Sequence, residues 1–314
     1  MRFERVAIVG ATGPTGSHLA DALLQKSMRV RAVSRREAGL RAAFAGRDVE
    51  IAAADALDEA ALTHAVQGCD LVVDCVGLPP AAMDRHAVVA RHVARAARAT
   101  GARLLHVSSY WAYLPLVRSP LNEDHPRQDG SPWMQYRRQA EDVLLDAGAA
   151  VLHLPDFYGP RVHTSTLQNA LADAVAGRTM NWIGGADVAR EYVFVPDAMR
   201  IAAAVVAHDE AFGARWILPG AGPLTGRDVA GTVGELLGRP VKLRAAGPWL
   251  LRLVSLFQKD LRGFLQMVPD YGKPLAFDAA RLRALVGEVA TTDYRTGITR
   301  TVEWLRRQQQ AAAS

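Results

Sequence analysis

Residues 5 to 16 read Arg-Val-Ala-Ile-Val-Gly-Ala-Thr-Gly-Pro-Thr-Gly, an apolar run that breaks on three glycines and leads straight into the amphipathic segment 17–25. The order predicts a strand, a tight turn and a helix. Gly10 lets the chain turn, Gly13 lets backbone N–H groups approach a pyrophosphate, and Gly16 lets the helix pack close to the strand. The unpaired N–H groups and positive dipole end of that helix then face the anion. A chain that starts this way is constrained to an α/β fold with a dinucleotide held over its first turn.

The second strand bears on which dinucleotide. It runs over 28–33, and where a free ribose 2′-hydroxyl would need an Asp or Glu the chain has Ser34, Arg35 and Arg36. A carboxylate there accepts from the hydroxyl and repels a 2′-phosphate. Guanidinium groups do the reverse, being always charged and able to bind phosphate in bidentate fashion. The expectation is NADP(H) rather than NAD(H), set against the plainer reading of a solvated basic turn.

Strands expected over 49–53, 71–76, 104–108 and 150–154 alternate with helices over 59–67, 83–99 and 133–146. This is the rhythm of a doubly wound parallel sheet covered on both faces. Beyond residue 160 the pattern loosens into helices over 166–176, 197–206 and 226–237, a strand over 192–195 and a polar tail over 308–314, expected to fray. The segment 248–268 places Leu250, Leu253, Phe257, Leu261, Phe264 and Val268 at helical spacing. It reads as a helix over a substrate cleft that suits an apolar ligand, with a membrane-surface anchor as the alternative. The division expected is a dinucleotide-binding core over 1–160, completed by about 186–220, and a smaller substrate lobe over 161–185 and 221–314.

Half of the 314 residues are hydrophobic, enough for a large core. The apolar stretch 6–9 is too short for a secretory signal, and no run reaches membrane-spanning length, so a cytoplasmic protein is expected. Cys69 and Cys75 fit no metal or disulfide pattern and read as buried reduced thiols. The net charge of +5 is scattered over helix faces, which argues against nucleic acid. No HExxH is present, and His86 and His92 diverge on their helix, so no metal is expected; the absence of Gly-x-Ser-x-Gly removes the usual hydrolase.

A series of spaced motifs now carries a resemblance. The turn 10–16, Asp55 after the third strand, Asp74-Cys-Val-Gly77 after the fourth, and Val107-Ser108-Ser109 with Tyr113 come first. Phe157-Tyr158-Gly159-Pro160 and Arg190-Glu-Tyr-Val-Phe-Val-Pro-Asp197 follow. The chain resembles the extended and atypical short-chain dehydrogenase/reductases, in the NAD-dependent epimerase/dehydratase branch and shading toward NmrA-like proteins. The resemblance implies a Rossmann domain with a C-terminal substrate lobe. It places Thr12, Gly13, Pro14 and Thr15 at the pyrophosphate and Arg35, with Arg36 beside it, at the 2′-phosphate. Asp55 and Ala56 would meet the adenine, Val76 and Gly77 the adenosine ribose and nicotinamide side, and Arg190 and Asp197 would link the two lobes.

The departures are more informative. The family pattern has a Ser at the end of the fifth strand, here Ser109, and Tyr-x-x-x-Lys on the next helix, followed four residues later by Glu. The register set by Pro132 and Glu141 puts Trp133 at the Tyr position and Arg137 at the Lys position. A tyrosine serves as acid or base because a neighbouring ammonium lowers its pKa, whereas an indole N–H donates a hydrogen bond but releases no proton. Arg137 is expected to keep the cofactor's ribose hydroxyls, although guanidinium and ammonium are not interchangeable. Ser109 is expected to hold a substrate carbonyl oxygen. Tyr136, one turn along the helix from Trp133, is the first substitute acid, with Tyr110, Tyr113, Tyr158 and Asp156 also near the strand ends. His153 replaces a family Arg near the substrate, or is simply a satisfied inner-strand histidine.

Three functions compete. One is an NADP(H)-dependent oxidoreductase acting on a carbonyl or activated double bond of a small organic substrate. The second is a redox-neutral isomerase, dehydratase or lyase on the same scaffold, and the third an NADP(H)-sensing protein without turnover. The substantial C-terminal lobe favours an enzyme. A homodimer is the default for such a fold.

Overall fold

The computed structural model describes residues 3–246 and 263–313. Most of the amphipathic stretch expected over 248–268 lies outside the described residues. Near-continuous apolar runs form β1 (Arg5–Val9), β2 (Arg29–Ser34), β3 (Val49–Ala53), β4 (Leu71–Asp74), β5 (Arg103–Ser109) and β6 (Ala150–Leu154). With the short edge strand Arg215–Ile217 they make a seven-stranded sheet, parallel throughout. Strand runs apolar on both faces are what a sheet covered on both sides requires. The chain begins at β1, winds outward through β2 and β3, then crosses back to β4 and winds the other way through β5 and β6 to the 215–217 edge. The order therefore reverses between β1 and β4.

The period of two in each strand divides the core into two layers. Val6, Ile8, Val30 and Val73 face one side, under α1 (Pro14–Leu24) and the helix Val195–Val205. Ala7, Val9, Val33 and Val72 face the other, under α3 (Glu59–Ala65), α4 (His86–Thr100) and α5 (Pro132–Asp146), with α2 (Glu37–Ala43) at the β3 edge. Strand β7 (Asp156–Tyr158) leaves the sheet and pairs with the strand Arg190–Phe194, which in turn pairs with Pro223–Leu224. A two-stranded sheet of Met180–Ile183 and Leu243–Ala246 completes the smaller layer. Its core joins Leu167, Trp182, Tyr192, Val229, Val233, Ile298 and Val302 from three helices and both small sheets.

Several expectations need correction. The helix expected over 83–99 starts later: Pro80–Arg85 is a 3₁₀ turn, kinked at Ala82 (φ −128°, ψ 17°), and α4 begins at His86. The strand 190–194, counted with the dinucleotide core, belongs to the three-stranded sheet, and the 215–217 strand completes the large one. The tail does not fray at 308: one helix runs Tyr294–Ala313. Ile298 and Val302 dock its first half in the core, and the alanines and glutamines that follow are good helix formers. Among the described residues no helix is long and apolar enough to cross a membrane.

Candidate active site

Where the strand order reverses, the carboxyl ends of the sheet open a cavity of about 950 Å³ that runs from the β1 turn to the start of α5. Such a switch point is where doubly wound sheets hold ligands. At one end Gly10 adopts φ +82° and donates to the Val33 carbonyl at 2.9 Å; a Cβ there would lie 2.8 Å from the Cys75 carbonyl oxygen. A Cβ on Gly16 would lie 2.7 Å from both the Gly10 oxygen and Ala11 Cα, so Gly16 packs helix against turn and stands behind the cavity wall. Gly10, Thr12, Gly13, Pro14 and Thr15 form the wall itself. Helix α1 starts after Gly13 with no side-chain cap and no acidic residue in its first turn. Its N-terminal N–H groups are left for an external anion, as the pyrophosphate of a dinucleotide requires.

Ser34 and Arg35 follow on the wall, with Thr12 Oγ1 3.2 Å from Ser34 Oγ. Arg35 is exposed and has no carboxylate partner among the described residues; the nearby Glu37 binds Arg41 instead, Arg41 Nε donating at 2.9 Å. Arg36, exposed at the N-cap of α2, is not among the residues that line the cavity. Asp55 and Ala56 line the next stretch, where Asp55 Oδ1 accepts the Leu57 N–H at 3.0 Å and fixes the turn. Val76 and Gly77 continue it, placed by Asp74, whose Oδ1 accepts the Val76 N–H at 3.0 Å. Burial would raise the Asp74 carboxyl, but His106, 2.9 Å away, outweighs burial and holds it below the ordinary range.

The far end is built on α5. Trp133 and Arg137, one turn apart on the same stripe, both line the cavity. The indole of Trp133 stacks on Trp111, centroids 6.5 Å apart and planes at 19°, and the Arg137 guanidinium carbon lies 5.4 Å from the Trp111 ring centre. Burial pulls the Arg137 pKa down while Glu141 and Asp74 oppose it, and its Nε has no hydrogen-bond partner among the described residues. Gly263 rests directly on Trp133, where a Cβ would fall 2.0 Å from the indole. Tyr136, expected as the substitute acid, is half-buried and not on the wall. At about 100° per residue it sits roughly 100° around the helix from Arg137 and on the far side of Trp133.

Ser109 lines the cavity at the end of β5. Its Oγ accepts the Trp111 N–H at 3.3 Å, which leaves the O–H free to donate. Its neighbour Ser108 is committed, donating to the buried Glu141. Glu141 also meets His153 Nε2 at 3.1 Å and accepts from Arg127 Nη2 at 2.9 Å. Burial alone would raise that carboxyl, but His153, Arg127 and Ser108 bring it down to about 2. His153 is thus an inner-strand partner of Glu141, stacked edge-on to Tyr113 at 4.8 Å, and not a cavity residue.

Asp156, at the start of β7, is on the wall. Its Oδ2 accepts from Tyr271 Oη at 2.7 Å, Tyr110 Oη at 3.3 Å and Thr166 Oγ1 at 3.5 Å. Arg190 Nη2 donates to Tyr110 Oη at 3.0 Å while its Nη1 donates to the carbonyls of Asp270 and Lys273, tying the small sheet to the 270–273 segment. Asp197 makes a second tie, accepting from Thr292 Oγ1 at 3.1 Å. Burial pushes the Asp156 carboxyl above its usual range, more than Arg190 and the three hydroxyls pull it down. Tyr113 and Tyr158 are fully buried away from the wall, and burial raises both phenols. Sequence reasoning missed Trp111 and Ile183, which line the cavity with apolar surface beside Phe264, a described residue of the 248–268 segment expected over a cleft. Their position after Ser109 was a signal for Trp111 alone.

The profile of the NAD dependent epimerase/dehydratase family matches residues 6–216. Sterol demethylase protein B of Methylococcus capsulatus is 26% identical over 329 aligned residues, covering 95% of this chain and 97% of that protein. A ceramide reductase of Caulobacter vibrioides is 32% identical over 162 residues, 49% of this chain and 47% of its own length. In overall shape the chain is similar to the UDP-glucuronic acid 4-epimerase of Bacillus cereus, solved with NAD, at TM-score 0.78 and 14% identity over 97% of this chain and 99% of that one.

Proposed function

The chain belongs to the NAD dependent epimerase/dehydratase family, and on that premise we propose that it is an NADP(H)-dependent oxidoreductase reducing a carbonyl or activated double bond of an apolar, lipid-like substrate. The carrying observation is one continuous cavity that joins the glycine turn and the unpaired Arg35 to the Ser109 hydroxyl beneath an aromatic wall of Trp111, Trp133 and Phe264. Gly10 to Thr15 and the open α1 N-terminus fit a pyrophosphate, and Arg35 fits a 2′-phosphate. Bound there, the nicotinamide supplies hydride. Ser109 donates to the substrate oxygen where negative charge develops. Arg137, its charge fixed and its guanidinium carbon 5.4 Å from the Trp111 ring centre, holds the ribose hydroxyls. Trp133 contributes a flat apolar surface and no proton.

The names of two relatives, a sterol demethylase component and a ceramide reductase, support the apolar substrate class. The redox-neutral reading draws on Trp133, whose presence matters least where no proton relay is needed. The test is titration of the purified protein with NADPH and NADH by fluorescence, then a panel of long-chain ketones, sterones and enones followed at the reduced-nicotinamide absorbance. Oxidation that falls about 100-fold in Ser109→Ala with unchanged NADPH affinity supports the reading. Tight NADPH binding without oxidation moves the assignment to a redox-neutral enzyme or a sensor. Binding of neither nucleotide contradicts it altogether.

A further inference from the structure

A reductase of a carbonyl compound needs a proton as well as a hydride, and the two positions where the family pattern supplies it hold Trp133 and Arg137. An indole N–H and a guanidinium keep their protons at any working pH. Tyr136 is off the wall. Among the described residues, three side chains on the wall besides the arginines carry an ionisable proton: Asp55, Cys75 and Asp156. Asp55 sits in the turn after β3, at the opposite end from Ser109. The Cys75 thiol is buried against the Gly10 turn, where burial pushes its pKa far up. Asp156 alone stands at the Ser109 end. In the β5–β6 register Ser109 is opposite Leu154, two residues before Asp156 on the same chain segment.

The carboxyl is also fixed in place. Three hydroxyls from three separate segments converge on Oδ2, while Oδ1 has no hydrogen-bond partner among the described residues. The groups that face it are Tyr110 after β5, Thr166 at the start of its helix, Arg190 and Tyr192 on the paired strand, and Tyr271. Of these only Arg190 carries charge, and its own hydrogen bonds go to Tyr110 and two backbone carbonyls. The result is a fixed carboxyl on the cavity wall with one oxygen anchored and one without a hydrogen-bond partner among the described residues.

On these grounds, and resting on the reductase reading above, we propose that Asp156 is the proton donor of the reaction, in place of the tyrosine that Trp133 replaces. As hydride from NADPH reaches the carbonyl carbon, the π pair of the C=O bond moves onto oxygen. The O–H bond at Asp156 Oδ1 breaks and its proton forms the alcohol O–H. The Asp156 carboxylate left behind takes its next proton from water in the cleft. The environment suits the task, since burial keeps the acid protonated to higher pH than an ordinary aspartate.

The test compares wild type, Asp156→Asn and Tyr271→Phe with NADPH and whichever ketone of the panel is turned over. Asn is nearly isosteric, donates hydrogen bonds and gives up no proton. The expected result is NADPH affinity unchanged by fluorescence and turnover lowered about 100-fold or more in Asp156→Asn, the size of a lost general acid. Wild-type kcat/KM should fall as pH rises through the Asp156 pKa. Tyr271→Phe removes a donor to the carboxylate form and should move that fall to higher pH, a shift that a purely structural role would not produce. Infrared difference spectra supply a readout apart from turnover: a protonated-carboxyl band that titrates above the usual aspartate range and is lost in Asp156→Asn. Turnover in Asp156→Asn within threefold of wild type, or no such band, overturns the proposal alone. Wild-type protein that oxidises NADPH with no member of the panel overturns the reductase reading and the proposal together.

Discussion

Replacing Arg35 by serine tests the choice of cofactor at the one position where the fold has nothing to lose. The side chain is exposed, lies on the cavity wall and pairs with no carboxylate among the described residues, so folding stability should change by less than about 0.5 kcal/mol. A hydrogen bond to a charged group contributes about 1.5–3 kcal/mol, and exposure at the cavity mouth places Arg35 at the low end. About 1.5 kcal/mol corresponds to roughly a tenfold change in dissociation constant. Fluorescence titration of wild type and Arg35→Ser with NADPH and NADH at two salt concentrations should show NADPH binding weakened about tenfold and NADH unchanged. Wild-type NADPH affinity should also fall with added salt while NADH affinity barely moves, because the extra phosphate is read by an exposed charge. Equal loss for both nucleotides in the variant, or wild-type protein that binds NADH as tightly as NADPH, would refute the reasoning.

Gly10→Ala forces a Cβ to within 2.8 Å of the Cys75 carbonyl at a residue with φ +82°. Both the strain and the displaced turn should appear, as a loss of about 1–3 kcal/mol in urea unfolding and abolished nucleotide binding. Glu141→Gln breaks a fully buried network with His153, Arg127 and Ser108 and should destabilise by about 3–5 kcal/mol. The pH dependence follows from the same site. The folded carboxyl is held at about 2, below its ordinary value, so its contribution is fully present above that ordinary value and is lost as pH falls toward 2. Urea midpoints measured down the acid range should fall for wild type and fall less for Glu141→Gln.

The large sheet was legible because its strands are long apolar runs and its first turn is marked by three glycines. What sequence reading passed over is short or set by distant pairing. The edge strand at Arg215 to Ile217 has three residues and owes its place to β6, and the two-stranded sheet joins segments some sixty residues apart. The candidate site divides the same way. Ser109, Trp133 and Arg137 could be placed from strand ends and helical register. Tyr136 is off the cavity wall because the turn of α5 carries it roughly 100° around the helix from Arg137. Part of the apolar lining was hidden, since Trp111 lies in a 3₁₀ turn and Ile183 on a small strand, whereas Phe264 belongs to the segment expected over a cleft. Glu141 served only to set a register, yet it binds β5, β6 and α5 together; a carboxylate on a helix face that packs on a sheet was the available signal.

The most direct measurement supplies NADPH with deuterium at the transferable position of the nicotinamide and follows the label by mass spectrometry into the product of a long-chain ketone. The account predicts one deuterium on the new carbinol carbon for each NADPH consumed. A product that forms with no deuterium, while the nucleotide stays reduced, would contradict it and identify a redox-neutral enzyme on this scaffold.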